Sequence, residues 1–320
     1  MKAFRSPWQD LRGLAKRKYF AVNDFSVIIP TYNRADLLCR AVDSVVRSSG
    51  SRAEVIVVDD GSTDATRQVL AELQAADRRV RGVVQEQSGA AAARNRGAEQ
   101  ATGDVLLFLD SDDELLPQAI DRLTAAFSRD CVGAVCSAAE FVNGEGEVKS
   151  ISRPRDLGPA YEGFSGLFLA GTFAVRRPVF EAVGGFAAEC RSSQHTEFAL
   201  RLTPYLKCQG LELVALDEPT VRVTTDDRVH LRGNLQNLLE GALYIIRTHE
   251  RQLQKSPKHY SDWCSIAAVY AAKLGRLAQT RQLLTQAVRW YPRKTANLAR
   301  LAVACVPPLA RRVWRRGTVR

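Results

Sequence analysis

The stretch VLLFLDSDDEL, residues 105–115, combines two features that decide the fold. An apolar run typical of a buried strand stops abruptly at three aspartates, Asp110, Asp112 and Asp113. Carboxylates at this spacing repel one another and are poor strand formers, so a cation at the strand end would stabilise them. The alternative is an Asp-rich turn that caps a helix starting near Pro117. Taken alone, the stretch predicts where a strand ends and leaves both interpretations open.

Three further apolar runs precede this stretch, and a segment with helical spacing follows each of them. The runs lie at 25–30, 53–58 and 80–84, and the helical segments lie at 34–46, 65–73 and 90–100. Because strand and helix alternate from residue 25 to residue 109, the chain is predicted to form an α/β fold. The sheet should be Rossmann-like, open and mostly parallel, with helices on both faces.

The ends of three predicted strands carry polar clusters, namely Pro30-Thr31-Tyr32-Asn33, Asp59-Asp60 and Asp110 to Asp113. In open parallel sheets, ligands bind beyond the carboxyl ends of the strands. The three clusters should therefore converge on one crevice. That convergence points to a ligand whose phosphates are bound to a metal ion.

Two common nucleotide-binding signatures are absent from the sequence. No GxGxxG follows the first strand, and no GxxxxGK[ST] occurs anywhere, which disfavours a dehydrogenase or a P-loop enzyme. Without a glycine-rich cradle, phosphates would be held by a metal ion and by side chains such as Arg94. Arg94 could equally lie on a helix surface, paired with an acid.

The net charge of +10 is divided unevenly along the 320 residues. Residues 1–22 carry 6 Lys/Arg against 1 acid, residues 23–227 carry 21 against 31, and residues 228–320 carry 18 against 3. An acidic middle between basic ends indicates that the ends meet an anionic partner. Membrane lipid and nucleic acid both fit that description, but no nucleic-acid-binding module is recognisable, so no nucleic acid is expected.

Cysteine usage and hydropathy indicate the compartment. Seven cysteines with no CxxC pair predict neither a disulfide framework nor a zinc site. The basic N-terminus lacks the apolar core of a secretory signal, and no segment approaches the roughly 20 apolar residues that span a bilayer. These features predict a cytoplasmic protein, or one bound peripherally to the inner face of the plasma membrane.

Four blocks of the sequence closely resemble the inverting family 2 glycosyltransferases, which have a GT-A fold. In order and with the usual spacing, they are SVIIPTYNR at 26–34, VIVVDDGSTD at 55–64, GAAAARNRG at 89–97 and LLFLDSDD at 106–113. A looser resemblance continues through 172–186 and 194–202. It implies transfer of a sugar with inversion from a nucleotide-sugar donor, first of all a UDP-sugar, to a hydroxyl of a glycan or lipid-linked acceptor.

The resemblance also implies how the donor is bound. By position, Pro30, Thr31 and Tyr32 would line the base pocket, and Asp59 would hold the edge of the nucleobase. By the same resemblance, the aspartates after residue 109 would bind the ribose and the diphosphate of the donor.

Among those aspartates, Asp110 would lie near the ribose, and Asp112 would coordinate Mn²⁺ or Mg²⁺ bridging the diphosphate, with Asp110 beside it as a metal ligand. Asp113 is a neighbouring candidate. A hard cation held by one or two carboxylates and the substrate phosphates is the usual arrangement for such ions, and it would act as a Lewis acid on the leaving group.

The sequence departs from the family pattern at the general base. The family usually has a Glu-Asp pair before a Trp-Asp-type helix, whereas this chain has Gln194 and His195, followed by Thr196 and Glu197. His195 takes the position of the Asp, and histidine is a competent base near neutral pH. Glu197 is the competing candidate. The departure also allows a different function, that of a non-catalytic nucleotide-binding relative that serves as a membrane-associated scaffold or subunit.

Domain boundaries follow from these patterns. Residues 1–22 are predicted to be a basic leader, and 23–227 the GT-A domain, with a nucleotide-sugar half at 23–113 and an acceptor half at 114–227. Residues 228–320 are predicted to be an all-helical basic extension, in which the segment around Gly275 resembles one degenerate tetratricopeptide-type hairpin. Its end, ARRVWRR at 310–316, combines Trp with Arg as an anchor on an anionic membrane surface would. The alternative is a solvated or disordered basic tail.

Overall fold

The computed structural model describes residue 22 and residues 24–49, 52–225 and 234–315. The predicted basic leader lies outside the described residues except for Val22, and so does the predicted boundary between 227 and 228. The described chain forms two compact units. The sheet unit comprises 22–157, 161–188 and 201–225, and the helical unit comprises 158–160, 189–200 and 234–315.

The sheet unit contains eleven strands. They are β1 Phe25–Thr31, β2 Ala53–Asp59, β3 Val80–Val84, β4 Val105–Phe108, β5 Glu114–Leu115, β6 Val132–Val142, β7 Val148–Ser152, β8 Arg155–Asp156, β9 Ser165–Gly166, β10 Phe173–Arg176 and β11 Glu212–Thr224. Nine of them form one sheet in the order β3-β2-β1-β4-β10-β6-β11-β5, with β7 paired to β6. Strands β8 and β9 form a separate two-stranded ribbon.

The sheet changes character at β4. Strands β3, β2, β1 and β4 run parallel to one another, as the alternation of strand and helix predicts. Strand β10 is antiparallel to both β4 and β6, while β6 and β11 are parallel to each other. The predicted α/β sheet is confirmed, and its antiparallel pairs all involve strands after β4, where the regular alternation in the sequence stops.

Six helices accompany these strands, namely α1 Ala35–Ser49, α2 Thr66–Ala76, α3 Ala90–Glu99, α4 Ala119–Ala126, α5 Arg177–Val183 and α6 Gln194–Gln209. Helix α1 buries Leu38, Ala41, Val42 and Val45, the apolar positions that predicted it, in the core beside β1 and β2. On β4, the Phe108 ring lies 4.9–5.9 Å from three other phenylalanine rings. Burial of these side chains fixes the strands whose ends carry the polar clusters.

The helical unit contains α7 Leu235–Thr248, α8 Glu250–Leu253, α9 Pro257–Lys273, α10 Leu277–Trp290, α11 Thr295–Cys305 and α12 Pro307–Arg315, together with the first residues of α6. Helix α9 packs against α7 and α10, and α10 packs against α11. Gly275 turns the chain between α9 and α10 with a φ of 76°. The predicted helical C-terminal portion is confirmed. Within the described ranges, no helix has the length and apolar character needed to cross a membrane.

Helix α3 lies so close to β1 that only glycine fits at position 97. A Cβ added there would lie 2.5 Å from Ile28 Cγ2 and 3.1 Å from Val58 Cγ2. Both neighbours are branched side chains buried in strands, so neither can move away freely. The glycine in the block GAAAARNRG therefore sets the distance between α3 and the sheet.

We expect Gly97→Ala to lower the free energy of unfolding by about 1–3 kcal/mol, because overpacking outweighs the gain in helix propensity. At an ordinary position inside a helix, the same substitution would stabilise the protein by about 0.5–1 kcal/mol. Urea unfolding measures the difference. The control is Arg96→Ala on the exposed face of α3, which should change stability by less than about 0.5 kcal/mol. A stabilising effect of Gly97→Ala would contradict this packing.

Candidate functional site

The loops after β1 and β2 are joined by hydrogen bonds through Asn33. The Asn33 N–H donates to Ser62 Oγ at 2.9 Å, and the Thr63 N–H donates to Asn33 Oδ1 at 2.8 Å. Asn33 has a φ of 53°, a left-handed conformation that asparagine tolerates better than most residues. The two strand ends are therefore held side by side, as the sequence predicts for neighbouring parallel strands.

The two aspartates at the end of β2 differ in their surroundings. Asp59 is fully buried, and its carboxylate accepts hydrogen bonds from the Ser62 N–H at 2.8 Å and from Arg67 Nε at 3.0 Å. Each carboxylate oxygen has two lone pairs, so Asp59 keeps acceptor capacity beyond these two bonds.

Asp60 fixes the loop that leads into α3. Its carboxylate accepts from Gln85 Nε2 at 2.7 Å, from the Ser88 N–H at 2.7 Å and from the Gly89 N–H at 2.8 Å. The sequence placed Asp60 in the polar cluster but did not indicate this role. The side chain determines where α3 begins, and hence where Arg94 lies on that helix.

Asp110, Asp112 and Asp113 come together at the end of β4. Carboxylate oxygens from all three lie within 4.8 Å of one another. Asp113 is buried, whereas Asp110 and Asp112 are partly exposed. Burial raises the pKa of Asp113 well above its usual value, and the nearby charges of Asp110 and Asp112 raise it further. The cluster is thus short of positive charge.

Buried arginines supply part of that charge. Arg94 on α3 donates from Nη2 to Asp110 Oδ1 at 2.5 Å, and Arg34 lies with Nη1 3.7 Å from Asp112 Oδ2. Arg94 therefore pairs with an acid, but with an acid of the predicted cluster. Arg34 was missed by the sequence reasoning, although its position directly after the first polar cluster was a usable signal.

An all-oxygen set of three carboxylates suits a hard divalent cation. Such an ion would relieve the mutual repulsion that raises the pKa of Asp113. The residues present therefore fit Mn²⁺ or Mg²⁺.

Pro30 and Thr31 are buried at the end of β1, and Tyr32 is half-buried in the loop that follows. Among the described residues, the Thr31 hydroxyl has no hydrogen-bond partner, although it is buried. A buried hydroxyl without a partner is costly in a folded protein, so it marks a position where a ligand atom would be stabilising.

Asn95 clamps the segment after α5 onto α3. Its Nδ2 donates to the Phe186 carbonyl at 2.8 Å, and its Oδ1 accepts from the Phe186 N–H at 2.8 Å. A Cβ on Gly185 would lie 2.7 Å from Asn95 Oδ1, which explains the glycine there, while Gly184 caps α5 with a φ of 87°. The Phe186 ring in turn faces the Arg94 guanidinium at 5.7 Å. Sequence reasoning missed Asn95.

The two candidate bases lie in the helical unit, on the first turn of α6. His195 is half-buried, whereas Glu197 is only 1% exposed. Glu197 Oε1 lies 3.0 Å from Nε2 of His249, the residue that follows α7, and His249 is itself buried. The two candidates thus differ in exposure, because His195 is half-buried whereas Glu197 is held in a buried pair with His249.

Comparison with known proteins gives a consistent result. The family described as "Glycosyl transferase family 2" matches residues 26–188. The chain is 37% identical over 135 residues to an uncharacterised glycosyltransferase of Nostoc sp., which covers 42% of this chain and 41% of that protein. It is 42% identical over 108 residues to the putative teichuronic acid biosynthesis glycosyltransferase TuaG of Bacillus subtilis. That match covers 33% of this chain and 43% of TuaG.

A third relative is a GalNAc(5)-diNAcBac-PP-undecaprenol beta-1,3-glucosyltransferase of Campylobacter jejuni, 40% identical over 100 residues, covering 31% of this chain and 32% of that protein. The chain thus spans less than half the length of each of these three relatives. Among solved structures, S. aureus TarS 1-349 in complex with UDP-GlcNAc is similar with a TM-score of 0.61 and 19% identity, covering 92% of both chains.

The matched region runs from β1 through β4 to the segment clamped by Asn95, and it includes every polar cluster of the sheet unit. The solved structure shares the fold across nearly the whole chain. This chain therefore belongs to glycosyl transferase family 2 and has the GT-A fold.

Proposed function

We propose that this protein transfers a sugar from a UDP-sugar to a hydroxyl of a cell-envelope glycan or a lipid-linked glycan. The transfer inverts the configuration at the anomeric carbon and is assisted by Mn²⁺ or Mg²⁺. The observation that carries the proposal is the cluster of three aspartates at the end of β4, flanked by the buried Arg34 and Arg94.

The nucleoside would bind at the ends of β1 and β2. Pro30, Thr31 and Tyr32 line the pocket for the base, and the Thr31 hydroxyl has no partner among the described residues. Asp59 holds the edge of the base with the acceptor capacity that its bonds to Ser62 and Arg67 leave. TarS supports a uridine nucleotide, since that protein has been solved with UDP-GlcNAc and with UDP.

The ribose and diphosphate would lie beside the aspartate cluster. Asp110, oriented by Arg94, lies near the ribose, and Asp112 with Asp110 would hold the cation. When bound, the cation supplies Lewis-acid stabilisation of the departing nucleoside diphosphate. Arg34 and Arg94 keep the carboxylates in place, so little reorganisation is required when the donor binds.

We assign the general base to His195. It accepts the proton of the acceptor hydroxyl while that oxygen bonds to the anomeric carbon on the face opposite the diphosphate, whose bond to the carbon breaks. Glu197 is the weaker candidate because it is buried and hydrogen-bonded to His249. We assign to that pair the role of fixing the first turn of α6.

The acceptor and its location are proposed from the relatives. TuaG is named for teichuronic acid biosynthesis, and the Campylobacter enzyme for an undecaprenol-linked glycan. Both names concern glycans of the cell envelope or their lipid-linked precursors. We therefore place the reaction in the cytoplasm, at the inner face of the plasma membrane.

We expect UDP and UDP-sugars to raise the melting temperature of the protein, and Mn²⁺ to enlarge the shift. A ligand that binds only the folded state at about 100 times its Kd stabilises that state by about 2.7 kcal/mol. Asp112→Asn should abolish the Mn²⁺-dependent part of the shift and the release of UDP during turnover, because it removes a charged ligand of the cation.

The matched control is Asp130→Asn, an exposed aspartate far along the sequence from the cluster, which should leave both measurements unchanged. Full activity of Asp112→Asn in the presence of a chelator would remove the cation from the mechanism. Tight UDP binding without turnover of any donor in a panel would favour a non-catalytic scaffold instead.

His195→Ala should lower kcat by about 100-fold or more, the usual contribution of a general base, while donor binding stays unchanged. His195→Asp should recover much of the loss, because a carboxylate can also accept the proton. Steady-state kinetics and thermal shift with UDP measure the two effects separately. Equal activity of wild type and His195→Ala would refute the assignment.

Glu197→Ala and His249→Ala should each lower the free energy of unfolding by about 1–3 kcal/mol, since each leaves a buried polar partner unsatisfied. Any loss of activity should be modest compared with that of His195→Ala. A Glu197→Gln variant with normal stability and donor binding but no turnover would identify Glu197 as the base.

A further inference from the structure

Exposed apolar side chains are concentrated at the end of the helical unit. Eight large apolar side chains are exposed among the described residues, and four of them lie between residues 298 and 313. They are Leu298 at 45%, Val306 at 48%, Leu309 at 43% and Val313 at 47% exposure. A group of this kind usually marks an interaction surface, whereas single exposed residues do not.

These side chains form stripes along α11 and α12. On α11, Leu298, Ala302 and Cys305 are exposed at positions i, i+4 and i+7, which share one face of a helix. On α12, Leu309 and Val313 continue as a second exposed stripe at positions i and i+4, and the exposed Val306 lies between the two helices. We call these six residues the α11–α12 surface.

The helices that carry this surface are attached to the rest of the unit. Ala304 on α11 and Ala310 on α12 are fully buried, and α12 packs against both α9 and α11. Pro307 and Pro308 begin α12, where the first turn of a helix accepts proline. The apolar stripes are thus displayed on a formed scaffold and are not the buried side of these helices.

The segment of the chain that carries the surface contains basic residues and no acidic ones. No acidic residue follows Asp262 in the sequence, whereas 12 Lys/Arg do. Arg312 is exposed within α12, and the sequence of that helix also contains Arg311 and Arg315. Half-buried Trp314 lies in the same helix, and tryptophan favours the boundary between water and lipid.

We propose that the α11–α12 surface docks on an anionic lipid bilayer, with its apolar side chains entering the interface and the exposed Arg312 facing the lipid phosphates. A second copy of the same face is a poorer occupant, because two cationic surfaces would repel each other. A nucleic acid would match the arginines but would leave the valines and leucines without apolar contact. The amphipathic pattern fits a helix that lies on a membrane.

The surface would also serve the transfer reaction, because a lipid-linked acceptor lies at the membrane. This link between the surface and the reaction rests on the proposed function. Binding to lipid does not, since it can be measured without donor, acceptor or turnover.

The test is cosedimentation of the full chain with phosphatidylcholine vesicles that contain or lack phosphatidylglycerol. We expect binding only to the anionic vesicles and loss of binding at high salt. The double variant Leu309→Glu/Val313→Glu should weaken binding by about tenfold or more, and Arg312→Glu should weaken it to a lesser degree.

The control is Val148→Glu/Ile151→Glu, which places the same two charges at exposed apolar positions on β7, and it should bind as wild type does. Circular dichroism establishes that each variant is folded. Absence of wild-type binding, equal binding to neutral vesicles, or unchanged binding of the double variant would overturn the proposal. A wild-type dimer that the double variant converts to monomer would identify a second copy as the occupant.

Discussion

Repulsion among three carboxylates at the end of β4 is the constraint around which the sheet unit is arranged. Asp110, Asp112 and Asp113 lie together because the chain turns immediately after a fully buried strand. Burial and like charge raise the pKa of Asp113, and the arginines on α3 and after β1 offset part of the negative charge. In the function that we propose, a divalent cation and the phosphates of a donor complete this balance.

The arrangement depends on side chains that hold backbone. Asp60 fixes the start of α3 through two backbone N–H groups, and Asn95 binds both the N–H and the carbonyl of Phe186. Asn33 joins the first two strand ends. These contacts orient the side chains that we propose to bind the donor, which lowers the cost of binding. Such rigid support is consistent with the function that we propose.

Much of the fold could be predicted from local patterns. Strands β1 to β4 and helices α1 and α3 lie within a few residues of where apolar runs and helical spacing place them. The strands β1, β2 and β4 and the helix α1 bury most of the side chains that form their patterns. The antiparallel strand β10 could not be predicted in this way, since nothing in FAVR at 173–176 says which strand it will join. The helical character of the C-terminal portion was also predicted from the sequence.

The sequence by itself determined the family, the polar clusters at the strand ends and the uneven charge, because these are properties of residue order and composition. Only the tertiary structure decided which side chains meet. It paired Arg34 with Asp112, buried Glu197 against His249, and left the apolar side chains of α11 and α12 exposed. The physical reason is that such contacts join residues distant in the chain, and packing, not local pattern, sets their distances and burial.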